Sequence, residues 1–325
     1  MLIRIGSRGS QLALWQANHV ADRLRGNGHT VEIQVIRTTG DRMQQPGFQA
    51  PADFDGQSLD SKGIFIKEIE DALAGGQIDL AVHSLKDLPT QLDPRFTLAA
   101  IPERADARDV WVCEAYWGLH TLPSGGRVGT MSPRRQAQLL ALRPDLRFVE
   151  IRGNVDTRLR KLGEGQCDAL VLAAAGLDRL GRTEHVHYRF EADEMCPAPG
   201  QGALALETRS SEHPLDTEDP TRDPLLYETI AALNDPHSQY AVSAERATLD
   251  ALGGGCILPI GVFCSVTGDS THILAQVLSP DGESMIVGDM VSTLSVPADV
   301  LGQRLATEMI LRGALELLPD TMLEQ

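Results

Sequence analysis

The chain has 325 residues and a formal charge of −16, from 29 Lys and Arg against 45 Asp and Glu, a balance that repels nucleic acid and anionic lipid. Apolar residues at 42% and charged residues at 23% are ordinary for a globular protein, and no apolar run approaches the roughly 20 residues of a membrane helix. Five cysteines, Cys113, Cys167, Cys196, Cys256 and Cys264, without a C-x-x-C pair argue against a disulfide framework and structural zinc, so reduced thiols are expected.

The first residues enter an alternating strand pattern at once, without the basic and apolar regions of a signal peptide, and a cytoplasmic address is the expectation. Residues 3–6 read as a strand, 11–25 as a helix and 31–38 as a strand, with a helix over 65–74 and a strand over 78–83. Between them, 41–61 is rich in Gly, Pro, Gln and Asp without periodicity, which predicts a mobile lid-like loop. A second series follows: strands over 110–113 and 127–129, helix 134–142, strand 147–151, helix 155–162 and strand 169–173. This alternation is the signature of parallel α/β sheets. A strand over 203–207 returns the chain to the first series, giving two doubly wound lobes suited to a ligand cleft, and 213–223 reads as loop. Beyond Asn234-Asp235-Pro236 come helix 238–252, strands 260–266, 273–278 and 285–291, and helix 299–317, a small α+β domain. The expected domains are 1–104 with 203–233, then 105–202, then 234–325.

Scarce cations gather where predicted strands hand over to helices: Arg8, Lys86, Arg134, Arg135, Arg152 and Arg158. A guanidinium fork pairs with carboxylate or phosphate, and a helix N-terminus adds its free N–H groups, so these junctions suit a ligand carrying several negative charges. Arg8, in Gly6-Ser7-Arg8-Gly9-Ser10, is compatible with a ligand turn or an ordinary βα turn. Lys86-Asp87 emerges at the carboxyl end of its strand, as a solvated ion pair or as a cation with the lone carboxylate of a basic site. Asp87 can stabilise a cation or accept its proton, which arginines cannot. Ser132-Pro133 makes a good helix start, yet Arg134 and Arg135 in its first turn oppose the macrodipole by about 0.3–1 kcal/mol each, which calls for an anion nearby. Gly253-Gly254-Gly255 caps a helix and exposes the backbone before Cys256, whose thiol is either available for modification or simply buried. His185-Val186-His187 lacks the companions of a metal site, and Met195, Trp111 and Trp117 read as packing residues.

Taken together the chain resembles the porphobilinogen deaminase (hydroxymethylbilane synthase) family nearly end to end. The resemblance rests on Arg8-Gly9-Ser10 with Leu12-Ala13-Leu14-Trp15-Gln16, on Lys62-Gly63-Ile64-Phe65, and on Ala81-Val82-His83-Ser84-Leu85-Lys86-Asp87. It continues through Arg134-Arg135-Gln136, Arg152-Gly153-Asn154, Pro197-Ala198-Pro199-Gly200-Gln201-Gly202 and Gly254-Gly255-Cys256. It implies two domains like a bacterial periplasmic binding protein with the active site between them, and a third that carries a dipyrromethane through a thioether to Cys256. Four porphobilinogens are then added head to tail, with Asp87 contacting pyrrole nitrogens and stabilising the cation left when ammonia departs. By the match, Lys86, Ser84, Asp87, Thr130, Ser132, Arg134, Arg135, Arg152 and Gly153 hold the cofactor. Arg8, Ser10, Arg158, Arg179, Gln201, Lys62 and Phe65 bind substrate. No metal, nucleic acid or membrane partner is implied, and a monomer is expected.

Departures are Met131 and Pro133, where the family has Ser and Leu, Asp60-Ser61 in place of a glycine pair, and Ser58 where some members carry Lys. A non-catalytic anion-binding protein of the periplasmic type is the main rival, and it leaves Cys256 unexplained. A nucleotide-dependent transferase lacks both a P-loop lysine and a dinucleotide fingerprint.

Overall fold

The computed structural model describes residues 1–40, 63–210, 222–254 and 258–319, so the predicted loop over 41–61 lies outside the described residues. In chain order the first elements are β1 (Leu2–Ser7), α1 (Gln11–Gly26), β2 (Thr30–Val35), α2 (Gly63–Ala74), β3 (Leu80–Ser84) and β4 (Phe96–Ala100). Next come β5 (Asp109–Val112), β6 (Arg127–Gly129), α3 (Pro133–Leu142), β7 (Arg147–Val149), α4 (Val155–Gly163), β8 (Ala169–Ala173), α5 (Ala174–Arg179) and β9 (Tyr188–Arg189). The remainder is β10 (Leu204–Arg209), α6 (Arg222–Ala231), α7 (Pro236–Ala251), β11 (Ile260–Thr267), β12 (Ser270–Leu278), β13 (Met285–Thr293) and α8 (Ala298–Leu311). Two compact units result: Met1–Glu103 with Leu204–Pro236, and Arg104–Ala203 with His237–Gln325.

Unit 1 is one sheet in the order β2-β1-β3-β10-β4. β1 runs parallel to β2 and β3, whereas β10 is antiparallel to both β3 and β4. The sheet is thus mixed: the expected parallel pairing is present in β2-β1-β3, and β10 adds antiparallel pairs. β4 and α6 were not expected from the sequence: β4 buries only part of its Phe-Thr-Leu-Ala-Ala run, and α6 has weak apolar periodicity. On one face α1 buries Ala17, Val20, Ala21 and Leu24 against Ile3, Ile5, Leu80 and Leu206, spacings of three and four that give a helix one apolar stripe. On the other, Ile69, Ala72 and Leu73 of α2 pack on Ile78, Ala81 and Phe96.

Unit 2 holds a sheet in the order β7-β6-β8-β5-β9 and a second, β11-β12-β13. In the first, β6 is parallel to β7 and β8 while β5 is antiparallel to β8 and β9, again a mixed sheet. Its two faces have separate cores, one around Trp111, Leu139 and Phe190 and one around Leu170, Leu172 and Leu177. Met195 and Trp111 are fully buried, but Trp117 is 79% exposed, its ring in an edge contact with His187, which corrects its reading as a packing residue. The antiparallel sheet is covered by α7 and α8, with Ala244, Leu249, Leu305 and Met309 against Val262, Ile273 and Ala275. The helix expected to run to residue 317 stops at Leu311, because Gly313 adopts φ +88° and the chain resumes as a 3-10 turn, Ala314–Leu317.

Candidate functional site

Parallel pairing of β1 with β3 carries the carboxyl ends of both strands to one sheet edge, where α/β proteins place ligands. β1 ends at Ser7 and turns through Arg8-Gly9-Ser10 into α1, capped by the Ser10 hydroxyl, which accepts from the Ala13 amide at 3.3 Å. β3 ends at Ser84 and passes into a 3-10 turn, Leu85–Asp87. These two turns line a hollow of about 90 Å³ with Arg8, Ser10, Gln16, His83, Ser84 and Asp87 at its wall. Gln16 donates to the Ser84 hydroxyl at 3.0 Å. Asp87 is exposed, while Arg8 and Lys86 are half-buried. Just behind the wall, His83 Nε2 lies 3.0 Å from Glu207 Oε2, a buried pair linking β3 to β10.

In unit 2 the predicted basic junctions form, but two of their cations turn inward. Ser132 caps α3 by accepting from the Arg135 amide, and Pro133 fits the first helical position, where no N–H is needed. Arg134 and Arg135 are 3% and 6% exposed. Arg135 donates through Nε and Nη2 to Asp109 Oδ1 and through Nη1 to the Val171 carbonyl. Arg134 places Nη2 2.7 Å from Asp109 Oδ2 and donates through Nη1 to the Cys196 carbonyl, while its Nε has no hydrogen-bond partner among the described residues. The anion that the first helical turn calls for is thus present within the unit, at the start of β5. Burial alone would raise the Asp109 carboxyl, but the two guanidiniums outweigh it and hold the group well below the usual carboxylate range. Gln201 completes the set, donating to Asp109 at 3.0 Å and to the Ala107 carbonyl at 2.7 Å.

The second junction is more open. Arg152 is exposed beside Glu150, at 3.3 Å, and Asn154 caps α4. Between them Gly153 adopts φ +122°, where an added Cβ would come within 2.6 Å of Thr157. Arg158 donates to the Gly153 carbonyl at 2.8 Å and Lys161 to the Arg152 carbonyl at 3.1 Å, so cations also brace the loop. Thr130 is buried, its hydroxyl accepting from the Ser132 amide. Met131 is 41% exposed. Arg179 donates to the Gly202 carbonyl at 2.7 Å, and burial pushes its guanidinium down to about 10.

Among the described residues, four buried acids went unnoticed in the sequence: Asp79, Asp109, Glu207 and Glu245. Glu245 on α7 binds Arg104 at 2.6 and 3.1 Å and accepts from the amides of Gly200 and Cys264, which ties the Pro197–Gly202 turn to β11 within unit 2. The available signal was a charge inside an otherwise apolar stretch, as in Asp109-Val110-Trp111-Val112 and Leu204-Ala205-Leu206-Glu207. Lys62 and Cys256 lie outside the described residues, and Phe65 falls within the first turn of α2.

The family model described as "Porphobilinogen deaminase, dipyromethane cofactor binding domain" matches residues 3–217, and "Porphobilinogen deaminase, C-terminal domain" matches 239–311. The chain is 44% identical over 314 residues to a porphobilinogen deaminase from Rubrobacter xylanophilus, covering 97% of this chain and 95% of that one. It is 45% identical over 317 residues to one from Acidothermus cellulolyticus (98% and 91%) and 43% identical over 320 residues to one from Thermus thermophilus (98% and 98%). Among solved structures it is similar to a nutrient binding protein from Burkholderia cenocepacia bound to methionine, at 12% identity and TM-score 0.39 over 70% of this chain and 93% of that one, a likeness from which no ligand carries over.

Proposed function

This chain belongs to the porphobilinogen deaminase family, and from that premise we propose how its own residues carry the activity. It is a hydroxymethylbilane synthase, a transferase that joins porphobilinogen molecules head to tail onto a covalent dipyrromethane primer with loss of ammonia, and releases hydroxymethylbilane by hydrolysis for tetrapyrrole synthesis.

The observation that carries the assignment of residues is the donor set of the unit 1 hollow. Each pyrrole of substrate or primer bears carboxylates, which need fixed cations and hydroxyl donors, and an N–H, which needs an acceptor. Arg8 supplies a guanidinium, and Asp87 an exposed carboxylate. Ser10 and Ser84 are acceptors in the hydrogen bonds described above, so each hydroxyl proton remains to be offered to a carboxylate oxygen. These groups fit a dipyrromethane, which when bound supplies the electron-rich pyrrole carbon that receives the first substrate. Asp87 accepts from pyrrole N–H groups and stabilises the cationic substrate carbon exposed when the amine leaves, a charge that no neighbouring arginine can offset.

Cys256 is the proposed thioether anchor. Ser84, Lys86, Thr130, Ser132, Arg152 and Gly153 hold the primer with Arg134 and Arg135, the last two acting as cations fixed by Asp109. Arg8, Ser10, Arg158, Arg179, Gln201, Lys62 and Phe65 are assigned to incoming substrate. We read the chain as three domains, 1–104 with 203–233, 105–202 and 234–325; separate cores within unit 2 support the last division. The charge of −16 disfavours nucleic acid, four buried unpaired thiols favour a reducing cytoplasm, and a monomer is the proposed state. No described helix is long and apolar enough to cross a membrane.

Intact mass of the purified protein, with and without Cys256→Ser, tests the reading together with porphobilinogen consumption. The wild type is expected to carry two pyrrole units and consume substrate, and the variant to lose the sulfur-linked increment. An unmodified wild-type mass with no turnover would contradict it.

A further inference from the structure

Behind the wall of the unit 1 hollow is a titratable cluster that none of the assignments above uses. His83 lines the hollow and is itself 7% exposed. Its Nε2 lies 3.0 Å from Glu207 Oε2, and Glu207 is fully buried. An ionised Glu207 can only accept, and facing it the neutral ring carries its proton on Nε2 and its lone pair on Nδ1. An imidazole held this way by a buried acid has a fixed orientation, and the acid steadies the imidazolium once a proton arrives.

We propose that His83, with Glu207 as its positioning residue, is the proton acceptor of this hollow during chain extension, a role separate from that of Asp87. The inference rests on the reading of this chain as a porphobilinogen deaminase. In each addition the aminomethyl C–N bond of the substrate breaks, and its electron pair leaves with nitrogen as ammonia. A π pair of the acceptor pyrrole forms the new C–C bond to that carbon. The α C–H bond of the acceptor ring then breaks, its pair restores the aromatic ring, and its proton passes to Nδ1 of His83. Release of that proton to water or to the departing ammonia returns the imidazole to neutral. Asp87 remains opposite the cationic carbon, so stabilising charge and taking the proton are divided between two groups.

Glu207 has an acidic neighbour besides the imidazole. Glu207 Oε1 is buried with no hydrogen-bond partner among the described residues. Glu70, on α2, is raised to about 7 by its own burial, then by the charge of Glu207, with Asp93 adding to the effect and His83 and Arg95 opposing it. The charged groups acting on Glu70, on α2, are thus Glu207 from β10, His83 from β3, and Asp93 and Arg95 from the segment before β4, while Arg8 and Asp87 line the hollow with His83.

The test is kcat and kcat/KM for porphobilinogen from pH 5.5 to 9 in wild type, His83→Gln and Glu207→Gln, with intact mass to establish that each carries its primer. His83→Gln should lower kcat about 10²-fold with KM little changed and remove the acid limb of the profile. Glu207→Gln should keep an imidazole but move the acid limb to lower pH. In primer-loaded protein, the His83 ring ¹⁵N resonances should titrate at lower pH in Glu207→Gln than in wild type, a readout that needs no turnover. If His83→Gln keeps kcat within twofold with an unchanged acid limb, or if the ring titration does not move in Glu207→Gln, the proposal fails while wild-type turnover still stands. Should His83→Gln not fold, the Glu207→Gln titration decides alone. A wild type that neither carries primer nor consumes porphobilinogen removes the proposed function first and this inference with it.

Discussion

Unit 1 presents its charged junction residues to a hollow, whereas unit 2 turns the guanidiniums of its first junction into its own interior. Both regions have the same local pattern, a strand ending in a capped helix or turn with a cation beside it. What separates them is a buried acid. Asp109 stands at the start of β5 with Arg134 and Arg135 on its two oxygens, while the hollow in unit 1 has its carboxylate, Asp87, exposed. A cation with a buried internal partner becomes scaffold first and ligand contact second, because breaking that pair leaves an uncompensated charge in a medium that cannot solvate it.

The sharpest way to break this contrast is Asp109→Asn, which keeps the shape and removes the charge. Two buried guanidiniums then lose their counter-ion, and the expected cost is about 3–5 kcal/mol in urea unfolding. The sign with pH follows from the direction of its shift. Asp109 is depressed in the folded protein, so its contribution is present above the ordinary carboxylate range and is lost as pH falls through the folded value. The gap between wild type and variant should therefore be full at pH 7 and narrow below about pH 4, near the ordinary Asp value. A variant as stable as wild type at pH 7 would mean that the ion pairs do not hold unit 2 together.

Asp87→Asn probes the other side. Because Asp87 is exposed, the melting temperature should be unchanged, while kcat falls about 10²–10³-fold, the loss of one electrostatic partner of the transition state. If stability falls instead and turnover survives, Asp87 is scaffold and the contrast between the units is reversed.

Much of this could be read from the sequence. Strand-to-helix junctions at Arg8, Lys86, Arg134 and Arg152 were visible because the period of apolar residues changes there and Ser10, Ser132 and Asn154 are good helix caps. Strand direction was not, since a short apolar run such as Leu204–Arg209 reads the same in a parallel or an antiparallel neighbour. Nor was the partner of the arginine pair: Asp109 is 25 residues before Arg134 and Gln201 is 92 residues beyond Asp109, and no local period reports contacts at such separations. The same holds for His83 and Glu207, separated by 124 positions.

Glu70 gives the smallest effect and the finest test of the comparison. Its folded value is about 7 against an ordinary 4.5, raised by burial and then by Glu207, which the opposing charges of His83 and Arg95 do not offset. A carboxyl whose folded value is raised binds its proton more tightly in the native state, so ionising it destabilises the fold. That penalty is absent below about pH 4.5, grows to about pH 7 and persists above it. Glu70→Gln removes the ionisable group and should raise the melting temperature on the order of 1–2 °C at pH 8, a small value because the side chain is half-buried and solvent screens part of the interaction. At pH 4.5 the two proteins should melt together. An equal gain at both values would point to packing instead of charge, and a loss at pH 8 would mean that Glu70 is balanced by cations in the way Asp109 is.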